Sequence, residues 1–236
     1  MKFKDDKDMI LLVVPISHTH YVMPPIGLGY LAAALRRGGF DEVVILDCVK
    51  EGLSFNGFRG FLERIKPRIV GFQIFSYDFD SVVKSIEIVK QLNHETKVLI
   101  GGAHVSATSA LALEEIKQAD YGFVGEGEIG LPMLAGRLLR DEQIPLENIP
   151  GLIWRENSSI RENARTGVED LDSLGFQPWD LMPPASYPDN PQGGFYKRFP
   201  IAPISTTRGC PYLCTFCGSG VNMGHKLRFR SIDHVL

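Results

Sequence analysis

Within the first 140 residues, five short and almost wholly apolar runs alternate with five stretches of helical composition. Few folds suit such a chain. Met9–Val14 is the first run and stops at Pro15. Ile26–Leu35 follows as a helix, with Pro24-Pro25 at its start, where the missing N–H of proline costs little, and Gly38-Gly39 at its end, where glycine suits the cap. Val43–Leu46, Ile69–Phe75, Val98–Ile100 and Tyr121–Val124 read as further strands. The helices between them are Phe58–Ile65, a segment capped by Asp78 or Asp80 with Val82, Val83, Ile86, Val89 and Leu92 at helical spacing, and a segment opened by Ser106 or Thr108 and running through Ile116. Gly130–Leu139 is the last. Strands that are apolar on both faces need cover on both, so the pattern implies a parallel sheet between two layers of helices.

The expected fold class is therefore α/β, a flavodoxin- or Rossmann-like parallel five-stranded sheet in the order 2-1-3-4-5. Ligands of such sheets bind beyond the carboxyl ends of the strands, near the switch between strands 1 and 3. The loops that reach this edge are Pro15–His20, Ser76-Tyr77-Asp78, Gly101-Gly102-Ala103-His104 and Gly125-Glu126-Gly127-Glu128. Their glycines allow close approach of a ligand to the backbone, or serve tight strand-to-helix turns.

Chemistry is concentrated near the C-terminus, in the run Arg208-Gly209-Cys210-Pro211-Tyr212-Leu213-Cys214-Thr215-Phe216-Cys217. The spacing is C-x3-C-x2-C with no fourth cysteine nearby. Thiolates favour iron–sulfur clusters or zinc, and a fully protein-ligated cubane takes four of them. Three leave one iron open to a substrate or cofactor. A Cys3His zinc site with His225 is the alternative, although the interval to His225 does not match the usual finger spacings. A disulfide fits poorly with four cysteines in all and no secretory signal. Cys48 ends the second strand-like run and reads as a small strand-end residue.

With Phe216 just before the last cysteine and Gly218 just after it, this motif resembles the signature of the radical SAM enzymes. The resemblance implies that Cys210, Cys214 and Cys217 hold a [4Fe–4S] cluster whose fourth iron chelates S-adenosylmethionine, with Phe216 and Gly218 bordering it. One electron from the cluster would cleave S-adenosylmethionine to a 5′-deoxyadenosyl radical. The apolar run Ile201–Thr206 would be the first strand of the barrel, with the cysteine loop at its C-terminal end. Upstream, Pro25-Ile26-Gly27-Leu28-Gly29-Tyr30-Leu31-Ala32-Ala33-Ala34-Leu35, then Gly101-Gly102-Ala103-His104, then Gly125-Glu126-Gly127-Glu128 resembles the cobalamin-binding domain fused ahead of many radical SAM barrels. By position, Ser76 and its neighbour Tyr77 would face the dimethylbenzimidazole, Gly101 and Gly102 would give the nucleotide tail room, and Gly125, Glu126 and Gly127 would sit nearer the corrin rim. The implied activity is methyl transfer through cobalamin to a small-molecule substrate, with an electron donor such as flavodoxin or ferredoxin.

One departure is plain. The D-x-H-x-x-G motif that supplies a lower axial histidine in many cobalamin domains is missing. His18 and His20 occupy the corresponding loop without the orienting acid, so the expected state has both histidine and benzimidazole off the cobalt. His104 caps or pairs locally, or contacts the cofactor. Glu126 and Glu128 suit the start of a helix, where negative charge is favoured, better than acid–base catalysis.

The expected organisation is a cobalamin-binding domain over residues 1–145, a hairpin and connecting segment over 146–200, and the start of a radical SAM domain over 201–236. Leu152–Arg155 and Ser159–Asn163 flank Asn157-Ser158 as a hairpin. The stretch from Val168 to Pro200, rich in proline and aromatics, reads as an interdomain crossing, with Trp179 and Tyr187 in its packing. A barrel needs further strand–helix units, so the chain is expected to be part of a longer enzyme and to turn over little alone. The net charge of −3 gives no argument for nucleic acid or an anionic membrane. No apolar run approaches the ~18 residues of a membrane span, and a cytoplasmic location suits reduced thiols. Two other readings stand beside the main one: a radical SAM enzyme whose first domain no longer binds cobalamin, and a non-catalytic cobalamin-binding fragment.

Overall fold

The fold is that of a computed structural model, which describes residues 8–19, 22–189 and 196–236. Residues 1–7, His20 and Pro191 lie outside the described residues. Strand β1 (Ile10–Val14) is central. It pairs in parallel with β2 (Val43–Asp47) on one side and β3 (Ile69–Gln73) on the other, with Leu12 opposite Ile45 and Gly71. Then come β4 (Lys97–Gly101) and β5 (Tyr121–Phe123), also parallel. This is the expected order 2-1-3-4-5.

The sheet does not stop there. The expected hairpin forms as β6 (Leu152–Glu156) and β7 (Ser159–Glu162), with Asn157 at positive φ in its turn. It lies antiparallel beside β5, which makes seven strands. The hairpin expected in the connecting segment therefore belongs to the sheet.

Alternate residues of each strand feed two cores. Leu11, Val13, Val70, Phe72, Val98 and Ile100 pack against α2 (Phe55–Ile65), α3 (Phe79–Leu92), α4 (Ala103–Thr108) and α5 (Ala110–Glu115). Ile10, Leu12, Ile69 and Leu99 pack against α1 (Ile26–Arg37) and α6 (Gly130–Arg140). Each fully buried side chain of this size contributes about 1.5–3 kcal/mol, so the sheet is held from both sides.

Two helices differ from expectation. α2 starts three residues early because Ser54 caps it, its hydroxyl accepting from the Gly57 N–H at 3.2 Å. The expected helix through Ile116 is two short helices, because Ser109 sits at φ 54°, ψ −126° and breaks the ladder. α2 ends at Lys66, exposed and left-handed at φ 46°, ψ 60°. A left-handed residue with a Cβ is disfavoured by ~1–2 kcal/mol, part of which glycine's larger unfolded-state entropy offsets. Lys66→Gly should therefore stabilise the fold by about 0.5–1 kcal/mol. A urea midpoint that stays put or falls would contradict this.

The segment after β7 runs across α1. Arg36 pairs with Asp180 at 2.8 Å, Arg37 donates to Leu174 O at 2.6 Å, and Gln177 donates to Ile26 O at 3.2 Å. Leu171, Leu174 and Val168 bury Tyr30. Trp179 is half-buried, and the half-buried Tyr187 sits over the tip of β2, its hydroxyl at Asp47.

Ile201–Thr206, expected as a barrel strand, forms no strand; only its last residue, Thr206, is paired, its carbonyl accepting from the Arg230 N–H at 2.9 Å, and the ladder proper starts at the next residue. β8 (Thr207–Arg208) forms a short antiparallel ribbon with β9 (Arg228–Phe229), and α7 (Ser219–Met223) lies between them in sequence. α8 (Ile232–Val235) ends the described structure. Among the described residues no helix is long and apolar enough to cross a membrane.

Candidate functional site

A cleft of about 360 Å³ opens at the carboxyl ends of β1, β3, β4 and β5. Leu12, Leu28, Leu99 and Phe123 make its walls apolar, while Gly27, Gly71, Gly101, Gly102, Gly125 and Gly127 line it without side chains. Gly102 is at φ +98°, and a Cβ there would lie 3.0 Å from both N and O of Ile74. Backbone that tight cannot yield, so the position demands glycine. At Gly27 and Gly101 the nearest atoms to an added Cβ are 3.7 and 3.8 Å away, so a Cβ there would make ordinary contact and displace nothing of the protein. The opposite wall comes from the C-terminal segment, through Ser205, Arg208, Asn222 and Met223.

That segment is held to the sheet by a buried charge network whose side chains are 4–6% exposed. Arg208 reaches Glu126 at 3.0 Å and Glu128 at 2.6 Å. Arg228, directly opposite Arg208 in the ribbon, donates to both oxygens of Glu126 and to Val168 O at 2.7 Å. The Val168 N–H also donates to Glu126, at 3.0 Å. Below them the Tyr30 ring carries the guanidinium groups of Arg208 and Arg230 at 5.0 and 5.2 Å. Burial pushes the Glu126 pKa up, but hydrogen bonds from Arg228 and Val168 and the charge of Arg208 outweigh it and hold the carboxyl below its ordinary value.

The expected helix-start role for Glu126 and Glu128 is thus replaced: both carboxylates are turned into this network. Of the other residues singled out in the sequence, Gly101, Gly102, Gly125 and Gly127 line the cleft. Ser76, Tyr77 and His104 lie outside its lining. Ser76 Oγ meets His104 Nδ1 at 3.0 Å, and Tyr77, 70% exposed, stacks on Phe75 at 5.6 Å. His104 thus pairs locally. His18 is exposed. Nearby, burial raises the pKa of Asp78, and a hydrogen bond from Ser17 offsets this only in part.

Cys210 is half-buried, while Cys214 and Cys217 are exposed on the loop between β8 and α7. Among the described residues no three His, Cys, Asp or Glu side chains are gathered closely enough to hold a metal ion. Hydrogen bonds to the hydroxyl and backbone N–H of Ser219 hold the Cys217 thiol below its ordinary pKa. His225 faces the Cys210 backbone, with Nδ1 3.2 Å from the carbonyl oxygen, so it is not turned toward the thiols as a fourth zinc ligand. Phe216 is 92% exposed, and neither it nor Gly218 reaches the cleft.

Sequence reasoning missed Gln73, Phe75, Tyr30 and above all Arg208 and Arg228. A signal was present. Arg228-Phe229-Arg230 alternates as a strand does, and Arg208 with Arg228 supplies two cations for the two acids of Gly125–Glu128.

Comparison with known proteins agrees with this geometry. The family model described as the B12 binding domain matches residues 12–135, more than half of the chain. An uncharacterized methyltransferase of Pyrococcus horikoshii is 31% identical over 90% of this chain and 44% of its own length. TsrM, a radical S-adenosylmethionine methyltransferase from Kitasatospora setae solved with cobalamin and a [4Fe–4S] cluster, superposes with a TM-score of 0.71 at 21% identity, over 97% of this chain and 44% of that one. OxsB, a cobalamin-dependent S-adenosylmethionine radical enzyme, superposes with a TM-score of 0.78 at 17% identity, over 97% and 31%. The chain spans less than half the length of each of these relatives. With its glycine-lined cleft at the switch point of a parallel sheet, the chain belongs to the B12-binding domain family.

Proposed function

We propose that this chain holds cobalamin in the cleft at the strand ends and forms the cobalamin-binding and cluster-loop part of a radical SAM methyltransferase. One observation carries the reading: the cysteine-bearing segment forms the second wall of the glycine-lined cleft, so two cofactor sites adjoin. The cleft fits a flat nucleotide tail. Its walls are apolar, the Gly101 and Gly27 surfaces are bare, and a side chain at either would enter the space the tail needs. Gly125 and Gly127 then face the corrin side, while Ser76, paired with His104, lies outside the lining beside Phe75, which belongs to it. Among the described residues no histidine lines the cleft, and its apolar wall of Leu12, Leu28, Leu99 and Phe123 would exclude water from the bound group.

Cys210, Cys214 and Cys217 are the donors for a [4Fe–4S] cluster that binds S-adenosylmethionine, with Phe216 and Gly218 at its border. The thiols are of the right kind but are spread along an exposed loop, which must close to gather them. When bound, the cluster supplies the electron that cleaves S-adenosylmethionine, and cobalamin carries the methyl group. The chain's own residues position these groups and exclude water. A small-molecule substrate, an electron donor such as flavodoxin or ferredoxin, and a cytoplasmic setting complete the proposal.

The test is anaerobic reconstitution of the protein that carries this chain, with hydroxocobalamin, followed by metal analysis. The expected content is near one cobalt and about four irons, the latter matching one cluster. Cys214→Ala should keep the cobalt, lose the iron and abolish S-adenosylmethionine cleavage. Retained cleavage in that variant would sink the assignment, and iron without cobalt would remove cobalamin from it.

A further inference from the structure

Arg208 belongs to two sites at once. Its side chain lines the cleft beside Glu126 and Glu128, and its backbone lies two residues before Cys210. No slack separates the two. Gly209 is at φ +88°, and a Cβ there would lie 2.1 Å from Lys226 O, while the Cys210 N–H donates to Gly224 O at 3.1 Å. The β8–β9 ribbon has two residues per strand, too few to stand alone, so it needs an anchor elsewhere. Its anchor is the pair of guanidinium groups inserted between the carboxylates of the loop after β5. That same loop presents Gly125 and Gly127 to the cleft.

We propose that Arg208 is a positioning residue that sets the cysteine loop against whatever fills the cleft, so that occupancy of the cleft is transmitted through Glu126 and Glu128 to Cys210. The inference rests on the cobalamin reading above. A ligand lying along residues 125–128 presses on the carboxylates, Arg208, which bridges the two of them, follows, and the first cysteine moves with it. Among the described residues Glu128 bonds to Arg208 alone, whereas Glu126 also holds Arg228 and Val168. Changing Glu128 therefore loosens Arg208 while the rest of the ribbon stays anchored.

The experiment uses this chain with cyanocobalamin as the probe and iodoacetamide as the thiol reagent, scoring each cysteine by mass spectrometry. Cys48 is buried with its thiol pushed up to about 12, so it serves as an inert internal reference. Saturating cyanocobalamin should change the alkylation rate of Cys210 by ~5-fold or more, the lower end of ordinary coupling between sites. In Glu128→Gln and Arg208→Lys, each read at its own saturating cyanocobalamin concentration, the effect should shrink to below ~1.5-fold, because charge or fork geometry is lost. Unchanged coupling in both variants, or no coupling in the parent despite bound cyanocobalamin, overturns the inference and leaves the functional reading intact. Failure of the parent to bind cyanocobalamin overturns the functional reading, and the inference falls with it.

Discussion

Glu126→Ala is expected to destabilise the protein by about 3–5 kcal/mol, because removing one partner from a buried ionic network leaves uncompensated charge in a desolvated place. The loss strips Arg228 of both carboxylate bonds, Arg208 of one, and the Val168 N–H of its acceptor. Glu128→Ala removes a single bond to Arg208 and should cost less. Replacing the charge on both sides, in Glu126→Gln combined with Arg228→Met, should recover part of the loss, since a neutral buried pair carries a smaller desolvation cost. Urea unfolding of the three variants measures this directly, and a cost below ~1 kcal/mol for Glu126→Ala would show the network to be open to water. The same carboxylate sets an acid limit. Its folded-state pKa lies below the ordinary 4.5, so its stabilising contribution is complete above that value and is lost as pH falls through the lower, folded value. Glu126→Gln should flatten this part of the stability–pH curve.

Gly102→Val should both destabilise the fold and abolish cobalamin binding. Leaving glycine at φ +98° costs ~1–2 kcal/mol, and crowding against the Ile74 backbone at 3.0 Å adds ~1–3 kcal/mol, for a total of about 2–5 kcal/mol. The companion substitution separates binding from folding. At Gly101 a Cβ would meet its nearest atom, Phe123 O, at an ordinary 3.8 Å, so Gly101→Ala should stay within ~0.5 kcal/mol of the parent. Its methyl group nevertheless enters the cleft. Weakening of cyanocobalamin binding by about tenfold, equivalent to ~1.4 kcal/mol, is the expected result by titration. Unaltered affinity in Gly101→Ala would place the ligand elsewhere.

The five parallel strands were legible because burial on both faces writes itself as short, continuous apolar runs. The helices were legible by their spacing. What escaped was set by distant partners. Helical spacing continues across Ser109, so nothing local announces the break there. The hairpin at Asn157-Ser158 could be read, but its pairing with β5 is a tertiary choice with no local mark. Ile201–Thr206 has the composition of a strand, yet composition supplies no neighbour, and its alternation of half-buried and exposed residues carries no ladder. At the site, the glycines were found from their loops alone. Glu126 was given the helix-end role that its sequence neighbours suggest, whereas its partners stand 82 and 102 residues further along the chain. The cysteine spacing is a one-dimensional signal and was plain. How the three thiols come together is three-dimensional and lies beyond it.

The two added strands also decide how this sheet meets other copies of itself. Without them β5, three residues long and mostly buried, would end the sheet with free N–H and C=O groups beside an apolar surface. With them the rim on that side is Ser159-Ile160-Arg161-Glu162, almost wholly exposed, and Arg161 is tied to Glu156 at 3.0 Å. A short rim with charged side chains is a poor template for another strand. The hairpin therefore acts as a selvedge, finishing the woven sheet so that it does not ravel into its neighbours when the protein is concentrated.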